Sequence, residues 1–386
     1  MTPEGALLGT LPAVPVATPW WNDIEPLADA LRALHGIEVT VLRLLEVGAP
    51  TSTGVEITYL AETAARVKAE PWAGRLDEHP LRLPYAKLGG PDADIAWAIA
   101  VLARHGLALD RPPRQVRTWN LSSLWRLPAN GRTFWLKVTP PFMAHEGAIL
   151  EALAGGPVPA LLGREGGRIL MPEIAGMDCY GARAPLLSRM VDLIVEIQRG
   201  WIGRTEELRA LGLNDWRASA LARAVAETFA RNADDLTKED RQPLARFVDA
   251  LDARLAEVAA CGLPETLVHG DFHPGNLRAD GETLTLLDWG DSGVGHPLLD
   301  EPAFLERVPA DAAAGLRERW HGAWRTVAPG SDPARASRLL APIGALRQAT
   351  VYQGFLDQIE PSEHPYHRTD PAERLRRAAH LVAAER

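Results

Sequence analysis

The chain has 386 residues, of which 46% are hydrophobic and 24% are charged, and its net charge is −9 at pH 7. This length favours two or three domains over one core, and the composition is that of a globular protein and not of a disordered or fibrous one. The negative charge disfavours nucleic acid as the main partner.

Residues 1–110 have the pattern of a small α/β domain. The first apolar run carries Val, Ile and Leu at both even and odd positions, which is typical of a strand buried on both faces. Gly36 and Gly106 are placed to end helices, because glycine readily takes the left-handed conformation that follows a helix. The predicted elements are a helix at 23–34, strands at 37–45 and 55–60, and a helix at 91–106.

Residues 111–174 change to a β-rich pattern, which predicts a five-stranded antiparallel sheet with one helix. Asn130-Gly131 is a strong hairpin signal, since both residues tolerate the positive φ of a tight turn. A glycine-rich segment at 163–167 predicts a second hairpin. The predicted strands lie at 115–119, 123–127, 133–138, 161–162 and 168–171, and the predicted helix lies at 144–153.

Residues 175–386 are predicted to be mainly helical, with acidic motifs on loops near the middle. The predicted helices lie near 186–200, 216–231 and 240–260, and from about 310 to the end. The order of elements predicts an α+β, bilobal, protein-kinase-like fold. In it, residues 111–174 form a nucleotide-binding lobe, residues 175–386 form a helical lobe with the catalytic loops and the substrate site, and residues 1–110 form an accessory domain.

The two cysteines, Cys179 and Cys261, are far apart and lack CxxC spacing. This disfavours a disulfide scaffold or a cysteine zinc site and favours a reducing compartment. The N-terminus has no basic leader segment, and no apolar run reaches the roughly 18–20 residues that span a bilayer. We therefore expect a cytoplasmic protein with no membrane partner.

The candidate catalytic and metal-binding residues are concentrated in two segments, 267–276 and 286–290. Asp271 follows an apolar strand, Asn276 comes five residues later, and Asp288 precedes a glycine after a second strand. Phosphoryl transfer needs a carboxylate that receives a hydroxyl proton, and oxygen ligands that hold Mg²⁺. We predict that Asp271 is the catalytic base and that Asn276 and Asp288 bind Mg²⁺. Each residue alone also fits a loop, a turn or a strand end, and the joint spacing favours the site.

Lys137 lies in the apolar strand 133–138, where a lysine must find an anion or reach water. Glu146 and Glu151 on the following helix are the competing partners. Glu146 shares a helical face with three apolar residues, whereas Glu151 points about 140° away from it. We predict a Lys137–Glu146 pair in which the lysine contacts the nucleotide phosphates. The alternative is a surface lysine on an edge strand.

No glycine-rich phosphate loop joins the first two strands of the sheet, and no GxxxxGK[ST] motif is present. The turn at 120–123 offers N–H groups and serine hydroxyls, so Ser123 is a candidate phosphate contact, although an ordinary turn has the same composition. Glu173 and Ile174, in the connector to the helical part, are predicted to offer main-chain groups to a purine.

The motifs at 269–276 (HGDFHPGN), 287–290 (LDWG), 295–297 (GHP) and 300–301 (DE) resemble those of the aminoglycoside phosphotransferase and choline kinase-like family. Lys137 and Glu146 are similar to the lysine–glutamate pair of that family. The resemblance covers about residues 113–370. It implies a two-lobed kinase-like fold, ATP or GTP with Mg²⁺, and phosphorylation of a hydroxyl group on a small molecule.

The resemblance also implies the roles of single residues. It assigns catalysis to Asp271, metal binding to Asn276 and Asp288, and phosphate contact to Lys137. Two further motif residues, Asp300 and His269, are expected to be structural. Residues 1–110 lie outside the resemblance and could be a cap that shapes the substrate cleft, a dimerisation surface or a binding module, of which we favour the cap.

Substrate selectivity is expected from the last third of the chain. Several carboxylates there would suit an amine-bearing acceptor such as an aminoglycoside or an amino sugar. Each of them also fits a solvated helix face or a turn, and the aromatic candidate also fits a core position. The candidates are Asp291, Glu301, Tyr352 and Asp357, with Glu360 and Glu363 as further carboxylates.

Two other functions compete with a small-molecule kinase. A nucleotide-binding protein without kinase activity, acting through its N-terminal domain, is favoured by the extra 110 residues and disfavoured by the intact catalytic positions. A protein kinase is disfavoured because HRD and APE segments are missing, and because only about a dozen residues separate Asp288 from Asp300.

Overall fold

A computed structural model describes residues 1–52 and 54–385. The chain divides into two units. The first unit contains Met1–Gly147, Ala160–Glu173 and Gln358–Tyr366, and the rest of the described chain belongs to the second unit. The predicted boundary at residue 110 falls inside the first unit, so the three-domain division stays a prediction.

The N-terminal part of the first unit holds two helices and one antiparallel pair of strands. Helix α1 (Glu25–His35) ends at Gly36, whose φ of 64° is the left-handed value predicted for that glycine. Strands β1 (Thr40–Val47) and β2 (Ile57–Glu62) pair with each other, and four consecutive residues of β1 are buried. Helix α2 (Gly90–Arg104) follows.

The predicted five-stranded antiparallel sheet is present in the first unit. Its strands are β3 (Arg114–Trp119), β4 (Ser122–Ala129), β5 (Arg132–Val138), β6 (Gly163–Glu165) and β7 (Arg168–Pro172). They lie in the order β3-β4-β5-β7-β6. The turn between β4 and β5 has φ values of 47° at Asn130 and 70° at Gly131, as the hairpin signal predicted. Helix α3 (His145–Ala152) follows β5.

The N-terminal part and the sheet share one apolar core. Val101 and Leu102 of α2 are buried in the same cluster as Phe134 and Leu136 of β5. Lys137 is the next residue of β5, so the N-terminal part stabilises the strand that carries the candidate phosphate contact. This packing is compatible with the role of a cap that rigidifies the nucleotide lobe, which stays a prediction.

The third segment of the first unit is held by two buried glutamates. The Glu363 carboxylate accepts a hydrogen bond of 2.7 Å from the N–H of Leu44. Glu360 forms ion pairs with Arg43 at 3.3 Å and with Arg82 at 3.1 Å, and all three side chains are buried. Both glutamates were candidates for substrate contact, and the structure gives them partners within the first unit.

Glu363 should make the stability of the protein depend on pH. Burial raises its pKa to about 8, so the folded state holds a proton that the unfolded state has released. Stability is therefore full below the ordinary pKa of glutamate and is lost as the pH rises through about 8. We expect Glu363→Gln to reduce the loss of unfolding free energy between about pH 5.5 and about pH 9 by roughly 2 kcal/mol. Chemical denaturation of both proteins at the two pH values measures this difference, and identical losses would contradict it.

The second unit is mainly helical. The predicted helix at 240–260 is in fact two helices, because the backbone leaves helical geometry at Ala250 (φ −96°, ψ 7°). The helices are α4 (Ala184–Arg199), α5 (Thr205–Ala210), α6 (Ala218–Asn232), α7 (Lys238–Asp249), α8 (Leu251–Ala259), α9 (Glu301–Leu305), α10 (Ala310–Val327), α11 (Pro333–Leu356) and α12 (Asp370–Ala384).

Two small sheets support the loops of the second unit. The strands are β8 (Met177–Asp178), β9 (Asn214–Trp216), β10 (Thr266–Val268), β11 (Leu277–Asp280), β12 (Thr283–Leu286) and β13 (Gly293–Gly295). One sheet has the order β10-β13-β9, and the other has the order β12-β11-β8. Both cysteines are buried and unbridged. Within residues 1–52 and 54–385, no helix is long and apolar enough to cross a membrane.

Candidate active site

The loop that follows β10 carries Asp271. β10 is fully buried and pairs with β13, so the loop leaves the core from a fixed point. Gly270 has a φ of 93°, and a Cβ there would lie 2.1 Å from the carbonyl oxygen of Asp291. Only glycine fits this position without moving the backbone.

Asp300 holds the backbone of this catalytic loop. Its Oδ2 accepts a hydrogen bond from the N–H of His269 at 2.9 Å, and its Oδ1 accepts one from the N–H of Gly270 at 2.8 Å. The side chain of Gln198 donates a third, at 3.0 Å. Burial raises the pKa of Asp300, against the opposing effect of His269 and the two N–H donors. These contacts agree with the structural role expected for Asp300.

His269 joins the catalytic loop to the segment that carries Asp288. Its Nε2 donates to the carbonyl oxygen of Leu287 at 2.8 Å, which leaves Nδ1 to accept from the N–H of Asp271 at 3.3 Å. Burial lowers the pKa of His269, so the imidazole is neutral at pH 7. The ring also packs edge-on against Trp289, with 4.6 Å between centroids. Both ring nitrogens of His269 are therefore engaged within the protein, which agrees with the structural role expected for this residue.

The Asp271 carboxylate is oriented by three side chains. The amide nitrogen of Asn276 donates to the Asp271 carbonyl oxygen at 2.9 Å and to Oδ2 at 3.1 Å. His273 Nε2 lies 3.4 Å from Oδ2, and Arg307 Nη2 lies 3.9 Å from Oδ1. Burial alone would raise the pKa of Asp271, but His273 and Arg307 outweigh it and the pKa lies below its ordinary value. Asp271 is therefore ionised at neutral pH, as a proton acceptor must be.

A β-hairpin brings the two predicted metal ligands to the same end of one sheet. Leu277 of β11 pairs with Leu286 of β12. The N–H of Leu287 donates to the carbonyl oxygen of Asn276 at 2.8 Å. Asn276 therefore lies immediately before β11, and Asp288 lies two residues after the strand that pairs with it.

The donor set at this end of the hairpin fits Mg²⁺. Because the amide nitrogen of Asn276 donates to Asp271, its carbonyl oxygen is left for a cation. Asp288 is exposed and has φ 62° and ψ 65°, a left-handed conformation that costs a non-glycine residue roughly 1–2 kcal/mol. Mg²⁺ needs only one or two protein oxygens beside phosphate and water. Over the part of the chain that the structure describes, no group of three or more His, Cys, Asp or Glu side chains is placed to hold a metal ion.

In the first unit, β5 presents Lys137 to helix α3. Lys137 Nζ donates to Glu146 Oε1 at 2.7 Å, and the Glu146 side chain is only 3% exposed. The predicted choice of Glu146 over Glu151 as the partner is confirmed by this ion pair. The contact of Lys137 with nucleotide phosphates stays a prediction.

Of the other residues predicted to contact the nucleotide, two have hydrogen-bond partners within the protein. Ser123 is buried, and its hydroxyl accepts a hydrogen bond of 3.0 Å from the indole N–H of Trp125. The N–H of Glu173 donates to the carbonyl oxygen of Thr133 at 3.0 Å, so this N–H already extends the pairing between β7 and β5. Ile174 is the next residue and is half-buried. Their contacts with a nucleotide stay predictions.

The predicted substrate carboxylates of the second unit have cationic neighbours. Glu301 is buried, lies 3.0 Å from His321 Nε2 and forms an ion pair with Arg317 Nε at 3.6 Å. Asp357 binds both terminal nitrogens of Arg231 at 2.6 Å. Asp291 lies near the buried Arg347, whose pKa is lowered by burial against the opposing effect of Asp300 and Asp291. Such engaged carboxylates have less capacity to bind the ammonium groups of an acceptor.

Tyr352 packs among aromatic and cationic side chains. Its ring lies edge-on to Phe355 at 5.8 Å, near His367 at 5.7 Å, and under the guanidinium of Arg374 at 5.8 Å. Burial raises the pKa of Tyr352, so its hydroxyl stays protonated at neutral pH. These contacts agree with the core alternative, and a contact of Tyr352 with substrate stays a prediction.

Three residues beside Asp271 were not identified from the sequence. They are His273, Arg307 and Arg347. Arg347 of α11 is buried, and its Nη2 donates to the carbonyl oxygen of Gly270 at 2.6 Å. His273 lies inside the motif and could have been found there, and Arg347 lies in the last third of the chain, where the substrate site was expected, whereas nothing in the sequence around Arg307 points to Asp271.

Comparison of the sequence with known protein families identifies the family of this chain. Residues 121–338, more than half of the chain, match the phosphotransferase enzyme family. The chain belongs to that family. The matched segment contains Lys137, Asp271 and Asp288, and residues 1–120 precede it. No curated protein matches the sequence significantly.

Solved structures of phosphotransferases share the fold. The macrolide 2′-phosphotransferase MphH from Brachybacterium faecium has 19% identity and a TM-score of 0.52, over 70% of this chain and 96% of that one. The GDP complex of aminoglycoside 2′-phosphotransferase-IIIa has 13% identity and a TM-score of 0.52, over 76% and 99%. A choline/ethanolamine kinase family protein from Mesorhizobium loti has 16% identity and a TM-score of 0.51, over 76% and 99%. The predicted family and the predicted kinase-like fold are confirmed.

Proposed function

We propose that this phosphotransferase moves the γ-phosphoryl group of ATP or GTP, with Mg²⁺, to a hydroxyl group of a small polar acceptor. The observation that carries the proposal is the catalytic loop and hairpin of the second unit. There an ionised carboxylate, Asp271, is fixed by Asn276, whose carbonyl oxygen is left for a cation. The backbone of the hairpin brings Asp288 to the same end.

The reaction assigns a separate task to each side chain. Asp271 accepts the proton of the attacking hydroxyl while the new oxygen–phosphorus bond forms and the bond from the γ-phosphorus to the bridging oxygen breaks. Asn276 and Asp288 would hold Mg²⁺, which supplies positive charge that offsets the charge of the phosphates. Lys137, fixed by Glu146, would contact the phosphates of the nucleotide, and Glu173 and Ile174 would offer main-chain groups to its base.

Removal of the Lys137 charge should weaken nucleotide binding. A hydrogen-bonded ion pair fixes Lys137, so its ammonium group is preorganised for phosphate oxygens. We expect Lys137→Ala to lower kcat/KM for the nucleotide by roughly 10–100-fold, mainly through KM. Lys238→Ala, on the first turn of α7, is the matched control and should change kcat/KM by less than about twofold. Steady-state kinetics with varied nucleotide would contradict this role if both variants behaved alike.

The identity of the acceptor is the open part of the proposal. The sequence favours an amine-bearing acceptor, and the names of the similar structures include macrolide and aminoglycoside phosphotransferases and a choline/ethanolamine kinase family protein. One of those structures is a GDP complex, so GTP must be tested beside ATP. The cytoplasmic location stays a prediction.

The test is Mg²⁺-dependent consumption of ATP and of GTP by the purified protein. The acceptor panel contains aminoglycosides, macrolides, amino sugars, neutral sugars, choline and homoserine, and Asp271→Asn is the blank. Consumption that requires Mg²⁺ and one acceptor, and that disappears in the blank, supports the proposal. Consumption that is equal in the blank contradicts the role of Asp271.

A second candidate function has one observation in its favour. A cavity of about 920 Å³ in the first unit is lined entirely by residues of the first 72, including Trp20, Trp21 and Trp72. A cavity of this size can hold a small ligand. A protein that binds Mg²⁺ and nucleotide without turnover, and acts through this N-terminal part, would show tight nucleotide binding and no consumption with any acceptor.

A further inference from the structure

The charges around Asp271 bear on the class of acceptor. Asp357 and Glu301, two of the predicted substrate carboxylates, are engaged by Arg231 and His321, as described above. Beside the free oxygen of Asp271 lies a cation, Arg307, with its Nη2 at 3.9 Å. We propose that the acceptor carries a negatively charged group next to its reacting hydroxyl and that Arg307 binds this group. This inference rests on the proposed kinase function.

The two oxygens of Asp271 are not equivalent. Asn276 donates to Oδ2, and His273 also faces Oδ2. Among the described residues, Oδ1 receives no hydrogen bond, and Arg307 Nη2 lies 3.9 Å from it. Oδ1 is therefore the oxygen that can accept the proton of the acceptor hydroxyl.

The position of Arg307 relative to Oδ1 determines which kind of substituent is favoured beside the reacting hydroxyl of the acceptor. A reacting hydroxyl must lie about 2.6–3.2 Å from the oxygen that takes its proton. A substituent on the neighbouring carbon atom then comes within hydrogen-bond reach of a guanidinium whose Nη2 is 3.9 Å from the same oxygen. The substituent that suits a guanidinium is a carboxylate or a phosphate, which binds it through two parallel hydrogen bonds.

One nitrogen of Arg307 is hydrogen-bonded to the protein, and its other donors have no hydrogen-bond partner among the residues that the structure describes. Its Nη1 donates to the carbonyl oxygen of Ala303 in α9 at 3.0 Å. The contact to Asp271 is too long for a hydrogen bond, so Nη2 and Nε have no hydrogen-bond partner in the described part of the chain. The side chain is 31% exposed, so these donors are open to a ligand. A cationic group at the same place would instead be repelled.

Two acceptor sets test the inference, because each contains an anionic, a neutral and a cationic member on the same carbon skeleton. The first set is glucuronate, glucose and glucosamine, and the second is glycerate, glycerol and 3-aminopropane-1,2-diol. We measure Mg²⁺-dependent nucleotide consumption with each compound. We also measure its binding by calorimetry in the presence of Mg²⁺ and a non-hydrolysable nucleotide. The proteins are wild type, Arg307→Gln, Arg307→Lys and the control Arg241→Gln, whose side chain pairs with Asp234 in a distant exposed ion pair.

We expect the anionic member of a set to be the best acceptor. Arg307→Gln should lower its kcat/KM by roughly 10–100-fold, mainly through KM, and should change the neutral member by less than about threefold. Arg307→Lys should restore part of the loss, because it restores the charge without the paired donors. Arg241→Gln should match wild type.

Three outcomes separate this inference from the proposed function. Better turnover of a cationic or neutral member, unchanged in Arg307→Gln, overturns the inference and leaves the kinase function standing. If none of the six compounds is phosphorylated, binding decides. Weaker binding of glucuronate or glycerate to Arg307→Gln than to wild type supports the inference, and equal binding or no binding overturns it. Nucleotide consumption that is the same in wild type and Asp271→Asn contradicts the proposed function itself.

Discussion

Asp271→Asn should lower kcat by roughly 10²–10⁴-fold while nucleotide affinity stays within about twofold of wild type. The substitution removes the charge that accepts the hydroxyl proton. It keeps a side-chain oxygen that can receive the hydrogen bond from Asn276. The backbone of the loop is held by Asp300 and His269 and not by the Asp271 carboxylate, so the loop should keep its position.

Steady-state kinetics and calorimetric nucleotide binding measure the two expectations separately. The matched control is Asp280→Asn, an exposed aspartate at the end of β11 in the same unit. The control should keep both kcat and affinity. Equal kcat in Asp271→Asn and Asp280→Asn would remove Asp271 from the chemistry. A loss of nucleotide binding in Asp271→Asn would show instead that the substitution disturbs the site.

Asp300→Asn should cause the largest loss of stability. The Asp300 carboxylate accepts hydrogen bonds from the N–H groups of His269 and Gly270 and from Gln198. In Asp300→Asn, an NH₂ group replaces one of the two accepting oxygens. At least one of the three buried N–H donors then loses its acceptor and faces another donor. We expect the free energy of unfolding to fall by about 2–4 kcal/mol and kcat to fall with it, because the catalytic loop loses its anchor.

Urea denaturation of Asp300→Asn, with Asp280→Asn as the exposed control, measures the loss. A variant as stable as the control would mean that the Asp300 carboxyl is protonated in the folded protein, since an amide closely resembles a protonated carboxyl. Burial raises the pKa of Asp300 in that direction. The three donors that surround the carboxylate favour the ionised form.

The fold could be predicted where the signals are local. Gly36 ends α1, and Asn130-Gly131 turns the chain between β4 and β5, because in each case a positive φ is required and few residues accept it. Four strands of the sheet follow from short runs between such turns, whereas β6 lies at Gly163–Glu165, inside the segment predicted as a hairpin turn, and not at 161–162. The break between α7 and α8 was missed because no glycine or proline marks Ala250.

Long-range placement could not be predicted in the same way. Glu360 and Glu363 follow a predicted helix and were taken as substrate carboxylates. In the structure Glu363 accepts from the N–H of Leu44, which is 319 residues away in sequence. Glu360 pairs with arginines of the N-terminal part. No local pattern distinguishes a carboxylate that will meet a buried arginine from one that will meet solvent or a ligand.

The candidate site shows the same difference between local signals and long-range packing. Asp271, Asn276 and Asp288 could be grouped from the sequence because Asn276 follows Asp271 on one short loop and the register of the next hairpin brings Asp288 to the same end. The Lys137–Glu146 pair was found because strand and helix periodicities decide which side chains face each other. Arg307 reaches Asp271 from the end of another helix, so its position depends on packing and not on spacing.

Mass spectrometry of acceptor mixtures tests the central claim most directly. Wild-type protein and Asp271→Asn are incubated with Mg²⁺, with ATP or GTP, and with pools of the acceptors above, and products are sought that have gained one phosphoryl group. The proposed function predicts at least one such product with wild type, dependent on Mg²⁺, and little or none with Asp271→Asn. Full occupancy by nucleotide in a well-folded preparation, with no phosphorylated product from any pool, would contradict it.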